Sequence, residues 1–445
     1  MSRKIVIIGA NAAGVDAASA ARKTDRKAEI TLITREKLGV YSRCGLPFVI
    51  GGHIPSFEDL IVYPPSYYRM MKLNLKLETE AKEIDTTKRV VEVEGKAGAE
   101  SIEFDTLILA TGARAFVPPI KGVDKEGVFS LRTIDDGKAI MKAMEKAKSA
   151  VVIGAGFIGL ETATALVERG IKTTVVELLP YIMPTLFDKD MADRAMKLLE
   201  ENGLKFIVGK GVDEILGRDK VSSVSVGGEE IPADLVVVAT GVRPNVELAK
   251  NAGITIGESR GIRVDKRMQT SCEGIYAAGD CAESICRVTH RPMLIQLGTN
   301  AVRQAKVAGI NAAGGYATML PSLGSAVSRM FDIEVGATGI TEYLAKKSGM
   351  EVVSATFASK TRASYYPGAK PIWIKLIVEK EMERIVGAQI IGGEEVTQRV
   401  NALSFAIMKQ MTVRELAKAD TCYAPPVNET WEPMVLAAEL ALRKL

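Results

Sequence analysis

Two glycine turns, about 145 residues apart, each close a short run of β-branched and aliphatic residues and open a stretch rich in small, helix-favouring residues. The first reads Ile5-Val6-Ile7-Ile8-Gly9-Ala10-Asn11-Ala12-Ala13-Gly14, and the second Val151-Val152-Ile153-Gly154-Ala155-Gly156-Phe157-Ile158-Gly159. A continuous apolar run ending in glycine is the pattern of a strand buried on both faces, and a helix after it makes a βαβ unit. The pattern then repeats. Strands are expected at residues 30–33 and 173–176, and the runs Thr106–Ala110 and Leu235–Ala239 both end in Thr-Gly. The chain therefore carries two copies of one architecture, an internal repeat at domain scale. Beyond Pro321 the character changes to alternating strands (372–378, 385–391) and helices (394–410, 412–418, 433–444), as in an α+β domain with an antiparallel sheet.

The second turn fits a dinucleotide site closely. Gly154 permits the tight turn, Gly156 lets the backbone approach a pyrophosphate, and Gly159 lets the helix pack against the sheet. Phe157 and Ile158 open that helix, whose free N–H groups favour phosphate. Glu177 ends the next strand, where an acid accepts hydrogen bonds from a ribose 2′-hydroxyl and repels a 2′-phosphate. No arginine follows in Leu178-Leu179-Pro180, so NADH is expected over NADPH, with NADPH still possible. The first turn carries Asn11 in place of the middle glycine. Asn tolerates unusual backbone angles, so the turn is expected to survive. Its second strand ends Thr34-Arg35-Glu36, any of which could supply the ribose contacts.

Between the turns lies Cys44, in Tyr41-Ser42-Arg43-Cys44-Gly45-Leu46-Pro47. A lone cysteine is most often a buried structural residue. Here it follows the first βαβ unit by about ten residues, where a loop can fold over a cofactor, and Arg43 beside it could stabilise a thiolate. With 445 residues, 47% of them apolar and 25% charged, the chain is a globular protein of roughly two to four domains. Its five cysteines are an odd, scattered set, unlike a disulfide framework. A net charge of +4 with acids and bases interleaved argues against nucleic acid, and two histidines make a His-built metal centre an unexpected feature. No apolar run approaches the roughly 18 residues of a membrane helix, and residues 1–10 lack a signal-peptide pattern. A cytoplasmic protein without a membrane partner is the expectation.

With these motifs in place, the chain resembles the flavoprotein disulfide reductases with two dinucleotide-binding domains. The closest pattern is their single-cysteine branch: coenzyme A (CoA) disulfide reductases, CoA-persulfide and polysulfide reductases, and NADH oxidases and peroxidases. The resemblance spans nearly the whole chain. Besides the two turns and Cys44-Gly45-Leu46-Pro47, it rests on Ala110-Thr111-Gly112-Ala113 with Pro118, and on Glu161. Further carriers are Ala239 to Asn245, Ile275 to Asp280, Tyr365-Tyr366-Pro367-Gly368 and Tyr423-Ala424-Pro425-Pro426. It implies two Rossmann-like three-layer ββα dinucleotide-binding domains plus a C-terminal α+β dimerisation domain. The expected boundaries are 1–114 with 245–320 for the FAD domain, 115–244 for the NAD(P)H domain and 321–445 for dimerisation.

For cofactors, the resemblance implies FAD on Gly9, Asn11, Ala12, Ala13 and Gly14, with Thr34, Arg35, Glu36, Arg43, Ala81, Ala110, Thr111, Gly112 and Gly279. Asp280 would bind the ribitol, Arg132 would contact the flavin, and the helix from Gly298-Thr299 would approach it. NADH would lie on Gly154 to Gly159, Glu161, Glu177 and Gly241, its nicotinamide against one flavin face and Cys44 against the other. The family is usually a homodimer whose C-terminal domain completes the partner's site. That makes Tyr423, and Tyr365 or Tyr366, candidates to assist a leaving thiolate at Cys44. Arg22-Lys23 match a basic pair near the CoA phosphates.

Val49 stands where the two-cysteine reductases have a second thiol, and Ala12 where peroxidases and water-forming oxidases have a histidine. The pair Cys281 and Cys286 has the Cys-x4-Cys spacing but follows Gly279-Asp280, where the first cysteine commonly has no redox duty in the family. Cys422, before Tyr423, is either a small buried residue or a second thiol near the partner's Cys44. No rhodanese-like domain is recognised near the C-terminus, so sulfane sulfur is expected on a small carrier or another protein. The reading is an NAD(P)H-dependent flavoprotein reductase of CoA-persulfide, polysulfide or CoA-disulfide, acting through Cys44 and releasing hydrogen sulfide or CoA thiol. The loop is expected to lower the Cys44 pKa from its ordinary ~8.5. The alternative is an NADH oxidase forming hydrogen peroxide at the flavin.

Overall fold

The computed structural model describes residues 2–445. Each expected βαβ repeat forms one five-stranded, all-parallel sheet. In the first, the strands lie in the order Ile275–Ala277, Thr106–Leu109, Lys4–Ile8, Glu29–Ile33, Leu73–Lys76. In the second, the order is Val128–Ser130, Leu235–Val238, Ser149–Ile153, Lys172–Glu177, Lys205–Val208. The two orders superimpose strand for strand. Central strands are sealed on both faces: Ile5, Ile7, Val151 and Val152 are fully buried, which is why they read as unbroken aliphatic runs.

The resemblance to a three-layer ββα unit holds because each repeat adds a small antiparallel sheet ahead of its Thr106–Leu109 or Leu235–Val238 strand. These are Glu80–Asp85, Val90–Gly95 and Gly98–Glu103 in the first, and Glu214–Leu216, Ser223–Val226 and Glu229–Pro232 in the second. The repeats are joined where Ala113–Ala115 pairs antiparallel with Val242–Pro244. The C-terminal part is one antiparallel sheet in the order Ala326–Met330, Ile333–Gly339, Ile385–Gly392, Pro371–Glu379, Val352–Lys360. The helices Val396–Met408 and Pro433–Leu442 cover it.

The segment around Cys44 does more than loop. Arg43–Gly45 is a single 3₁₀ turn that runs directly into the helix Leu46–Gly51, with Pro47 in its first turn. Leu46, Val49 and Ile50 are buried against Leu160 and Ala163 of the Phe157–Glu168 helix, in the core of the second repeat. Burying side chains of this size contributes about 1.5–3 kcal/mol each, so the helix that follows Cys44 is anchored to the second repeat. The same core takes in Met330, Val335 and Ile391 of the C-terminal sheet, so all three parts meet next to Cys44. Among the described residues no helix is long and apolar enough to cross a membrane.

Candidate active site

Both glycine turns are built the same way. Gly9 and Gly154 have φ of +113° and +105°, and a Cβ on either would lie 2.1 or 2.5 Å from the carbonyl oxygen of Ala110 or Ala239. Gly14 and Gly159 pack their helices onto those turns, where a Cβ would come within 1.8 and 2.0 Å of the Gly9 and Gly154 carbonyl oxygens. Asn11 corrects the expectation from sequence. Its backbone is ordinary extended chain (φ −94°, ψ −163°), like that of Gly156 (φ −80°, ψ −178°), so tolerance of unusual angles is not its role. Its side chain instead accepts the Ala12 N–H at 2.7 Å and donates to the Tyr41 carbonyl at 3.3 Å, tying the turn to the Cys44 segment.

The cradles fit the two dinucleotides. At Gly112, Gly156, Gly241 and Gly298 a Cβ would meet nothing within 4 Å, so the backbone there faces open clefts at the strand ends. Ala12, Phe157 and Ile158 are half-buried in the first turns of helices, while Ala13 is covered. Glu177 is fixed at the end of its strand by the N–H groups of Ala155 (2.7 Å) and Leu179 (2.8 Å), as an acid awaiting a ribose would be. In the first repeat, Glu36 accepts from Tyr41 Oη at 2.8 Å and pairs with Arg43. Thr34 Oγ1 accepts the Glu36 N–H, Arg35 is exposed, and Ala81 is the second residue of the Glu80–Asp85 strand just beyond Thr79, whose N–H reaches the Thr34 carbonyl. Ala110 and Thr111 line the strand end, with the Thr111 hydroxyl donating to the Asn245 carbonyl.

Cys44 is an exposed free cysteine on the 3₁₀ turn, with Arg132, Glu161 and Asp280 as the charges that act on it. Two expectations fail here. Arg43 does not face the thiol: its guanidinium is engaged by Glu36 and the Arg132 carbonyl and lies over the Tyr41 ring. The thiol pKa is raised rather than lowered, by burial first, then by the negative charges of Glu161 and Asp280. Arg132 is the cation that opposes them. It pairs with Asp280 at 2.8 Å, both side chains about one-fifth exposed, and donates to the Ala113 carbonyl. Gly279 precedes that pair, its N–H held by Gln304, and Gly298-Thr299 lie exposed at the start of the Gly298–Ala312 helix.

The C-terminal candidates come together as a group of their own. Tyr365 Oη and Tyr423 Oη are 2.9 Å apart, from loops 58 residues distant in sequence, and both rings are exposed. The bond to Tyr423 pushes the Tyr365 phenol above its ordinary value. Tyr366 stays outside the pair, and Cys422 is exposed rather than buried, its carbonyl held by Asn428. Cys281 and Cys286 are buried in separate apolar clusters, which removes them as a dithiol pair. Arg22 is also corrected: its guanidinium donates to five main-chain carbonyls (Asp25, Arg26, Ala28, Met71 and Lys72) and is a structural clamp, while Lys23 beside it is exposed.

Sequence reasoning missed Ser328, which donates to Glu161 from the C-terminal sheet, and the buried Arg399–Glu432 pair behind the Tyr423 loop. Neither belongs to a motif, and only the fold brings them to the site.

A family described as pyridine nucleotide-disulphide oxidoreductase matches residues 3–305, and its dimerisation domain matches residues 326–435. A protein of Methanocaldococcus jannaschii named NADH oxidase is 46% identical, covering 99% of each chain. An NAD(P)H sulfur oxidoreductase (CoA-dependent) of Pyrococcus abyssi is 37% identical over 99% of this chain and 98% of its own. Among solved structures, an NAD-dependent persulfide reductase from A. fulgidus superimposes with a TM-score of 0.97 at 39% identity, over 99% of this chain and 83% of that one.

Proposed function

The chain belongs to the pyridine nucleotide-disulphide oxidoreductase family, in the group of FAD- and NAD(P)H-dependent oxidoreductases that holds CoA-disulfide and persulfide reductases and NADH oxidases. From that premise we propose that it reduces CoA-persulfide, polysulfide or CoA-disulfide through Cys44, releasing hydrogen sulfide or CoA thiol. FAD, held on the Gly9 to Gly14 cradle with Asp280 and Arg132, supplies two-electron relay between NADH and sulfur. NADH is held on Gly154 to Gly159, Glu177 and Gly241. Cys44 attacks the substrate disulfide as thiolate, and the departing sulfur takes the electron pair. Arg132 is the charge that favours the thiolate against Glu161 and Asp280.

The observation that carries this reading is the hydrogen-bonded Tyr365–Tyr423 pair. Two phenols side by side can stabilise a departing thiolate by donating hydrogen bonds, and reduction of oxygen at a flavin needs no such pair. In the homodimer these loops are proposed to serve the partner's Cys44, with Cys422 beside them as a possible second thiol. Lys23 stays a candidate for the CoA phosphates. The name of the Methanocaldococcus relative favours the second reading, an NADH oxidase making hydrogen peroxide with Cys44 dispensable. Cys44→Ser separates them. Sulfide release from polysulfide or CoA-persulfide, and reduction of CoA disulfide, should fall at least ~10²-fold while NADH still bleaches the flavin band. Unchanged sulfur reduction in that variant would abolish the proposal.

A further inference from the structure

The turns that leave the two outermost parallel strands meet each other. Ile275–Ala277 pairs with Thr106–Leu109 as Val128–Ser130 pairs with Leu235–Val238, so Gly279 and Arg132 hold equivalent positions, each two residues beyond its strand. Asp280 follows Gly279, and Arg132 donates to one of its carboxylate oxygens at 2.8 Å. Among the described residues nothing donates to the other oxygen. The Arg132 turn is fixed by its own helix, since the Asp136 carboxylate accepts the Arg132 N–H at 2.9 Å and the Thr133 N–H at 2.8 Å. A different element fixes the Asp280 turn.

That element is the Gly298–Ala312 helix. It lies so close to the first cradle helix, Ala12–Thr24, that a Cβ on Gly309 would come within 2.2 Å of the Ala17 carbonyl oxygen. Gly279, with a φ of +87°, is wedged between the same two helices: a Cβ there would stand 2.9 Å from Ala13 Cβ and 3.7 Å from Ala301 Cβ. Gln304, one turn beyond Ala301 and only 1% exposed, supplies the polar contact, its Oε1 accepting the Gly279 N–H at 2.9 Å. The other end of the amide is held as well. Its Nε2 donates to Ser284 Oγ at 3.0 Å, Asn300 Nδ2 donates to the same oxygen at 3.1 Å, and Ser322 Oγ donates to Asn300 Oδ1 at 2.8 Å. All four side chains are buried. A helix that had only to pack would bury an aliphatic residue at this position, because a buried amide is costly unless its bonds are made. Bonded at both ends, this one has a single orientation.

We propose that Gln304 is a positioning residue for FAD. It fixes the Gly279-Asp280 turn so that Asp280 offers its second carboxylate oxygen to the cofactor on the Gly9 to Gly14 cradle while Arg132 holds the first. The inference rests on the reading of Asp280 as an FAD contact. Gln304 is itself sealed from the cleft and acts through Asp280.

The test dilutes holoenzyme into cofactor-free buffer and follows flavin fluorescence, which reports freed FAD and yields the dissociation constant. Gln304→Leu keeps most of the side-chain bulk but leaves the Gly279 N–H buried without an acceptor, and should raise that constant roughly 10- to 100-fold. Gln304→Glu should stay within about 3-fold of the wild type near pH 6, where burial keeps the carboxyl neutral and shaped like the amide. The decisive arm is Asp280→Ala. Alone it should weaken FAD binding at least as much as Gln304→Leu, and adding Gln304→Leu to it should change the constant by no more than about 2-fold. A role confined to helix packing would instead subtract its full share in both backgrounds.

Unchanged FAD affinity in Gln304→Leu would overturn the proposal. So would a loss of equal size with and without Asp280, or a Gln304→Glu enzyme as weak as Gln304→Leu. If Gln304→Leu does not fold, Ser284→Ala carries the test: freeing the far end of the amide should weaken FAD binding about 3-fold, and only where Asp280 is present. FAD held as tightly by Asp280→Ala as by the wild type would instead remove Asp280 from the cofactor site, and with it the reading beneath the inference.

Discussion

In the proposed reading, Glu177 decides which nicotinamide cofactor the second cradle accepts. Its carboxylate is fixed by two backbone N–H groups at the strand end, so it cannot swing aside for a 2′-phosphate. Leu178, exposed next to it, offers that phosphate no cation. Replacing Glu177 by Ala and Leu178 by Arg should therefore raise the ratio of kcat/KM for NADPH over NADH by about 10²-fold, most of it from lost repulsion. Steady-state kinetics with both cofactors checks this. Glu161 makes a prediction about stability. Its carboxyl is raised in the fold from an ordinary 4.5 to about 7, so the folded state favours its protonated form. That contribution is complete below about pH 4.5 and is lost as pH rises through 7, up to about 3 kcal/mol. Glu161→Gln should thus melt above the wild type at pH 8, and the gap should close by pH 5 in thermal unfolding.

The elements that carry chemistry are short, and buried polar pairs hold them in place. Arg399 on the Val396–Met408 helix makes two bonds to Glu432, at 2.7 and 3.1 Å, and a third to Asn428. Asn428 holds the Cys422 carbonyl, and the Pro425 carbonyl accepts the Ala363 N–H of the Tyr365 loop. Removing Arg399 leaves Glu432 buried without its counter-charge, and loss of one partner in such a pair costs about 3–5 kcal/mol. Arg399→Ala should lower the thermal midpoint accordingly, and Arg399→Met with Glu432→Leu should recover most of the loss.

The sequence made the parallel strands legible, because aliphatic runs closed by glycine admit few other structures. It did not make the helix after Cys44 legible. Leu46-Pro47-Phe48-Val49-Ile50 is too short to display a 3.6-residue period, and packing against Leu160 and Ala163 fixes its conformation. The antiparallel inserts were hidden for a related reason. Strands such as Glu80–Asp85 and Gly98–Glu103 lie largely exposed, so their apolar alternation is weak.

At the scale of the whole molecule, the repeat was visible from Gly9 and Gly154 alone, whereas the contacts that fix the parts relative to one another were not. Lys375, buried in the C-terminal sheet, lies 2.6 Å from Asp190, 2.6 Å from Glu342 and 3.3 Å from Asp188. Asp188 and Asp190 belong to the second repeat, 185 or more residues away, and no local pattern announces a bond of that span. Cys44 and the tyrosine pair stand further apart still along the sequence. Both loops lie in the region matched by the dimerisation domain, so the division of labour between subunits is open to a direct test. Cys44→Ser homodimers lack the thiol, and Tyr365→Phe with Tyr423→Phe homodimers lack the phenols. If each recess is completed by the partner's loops, a hybrid dimer of the two has one doubly defective site and one intact site. Isolated hybrids should then recover about half of the wild-type sulfur reductase activity from two nearly inactive parents. If each subunit used its own tyrosines, every site in the hybrid would keep one defect and no activity would return.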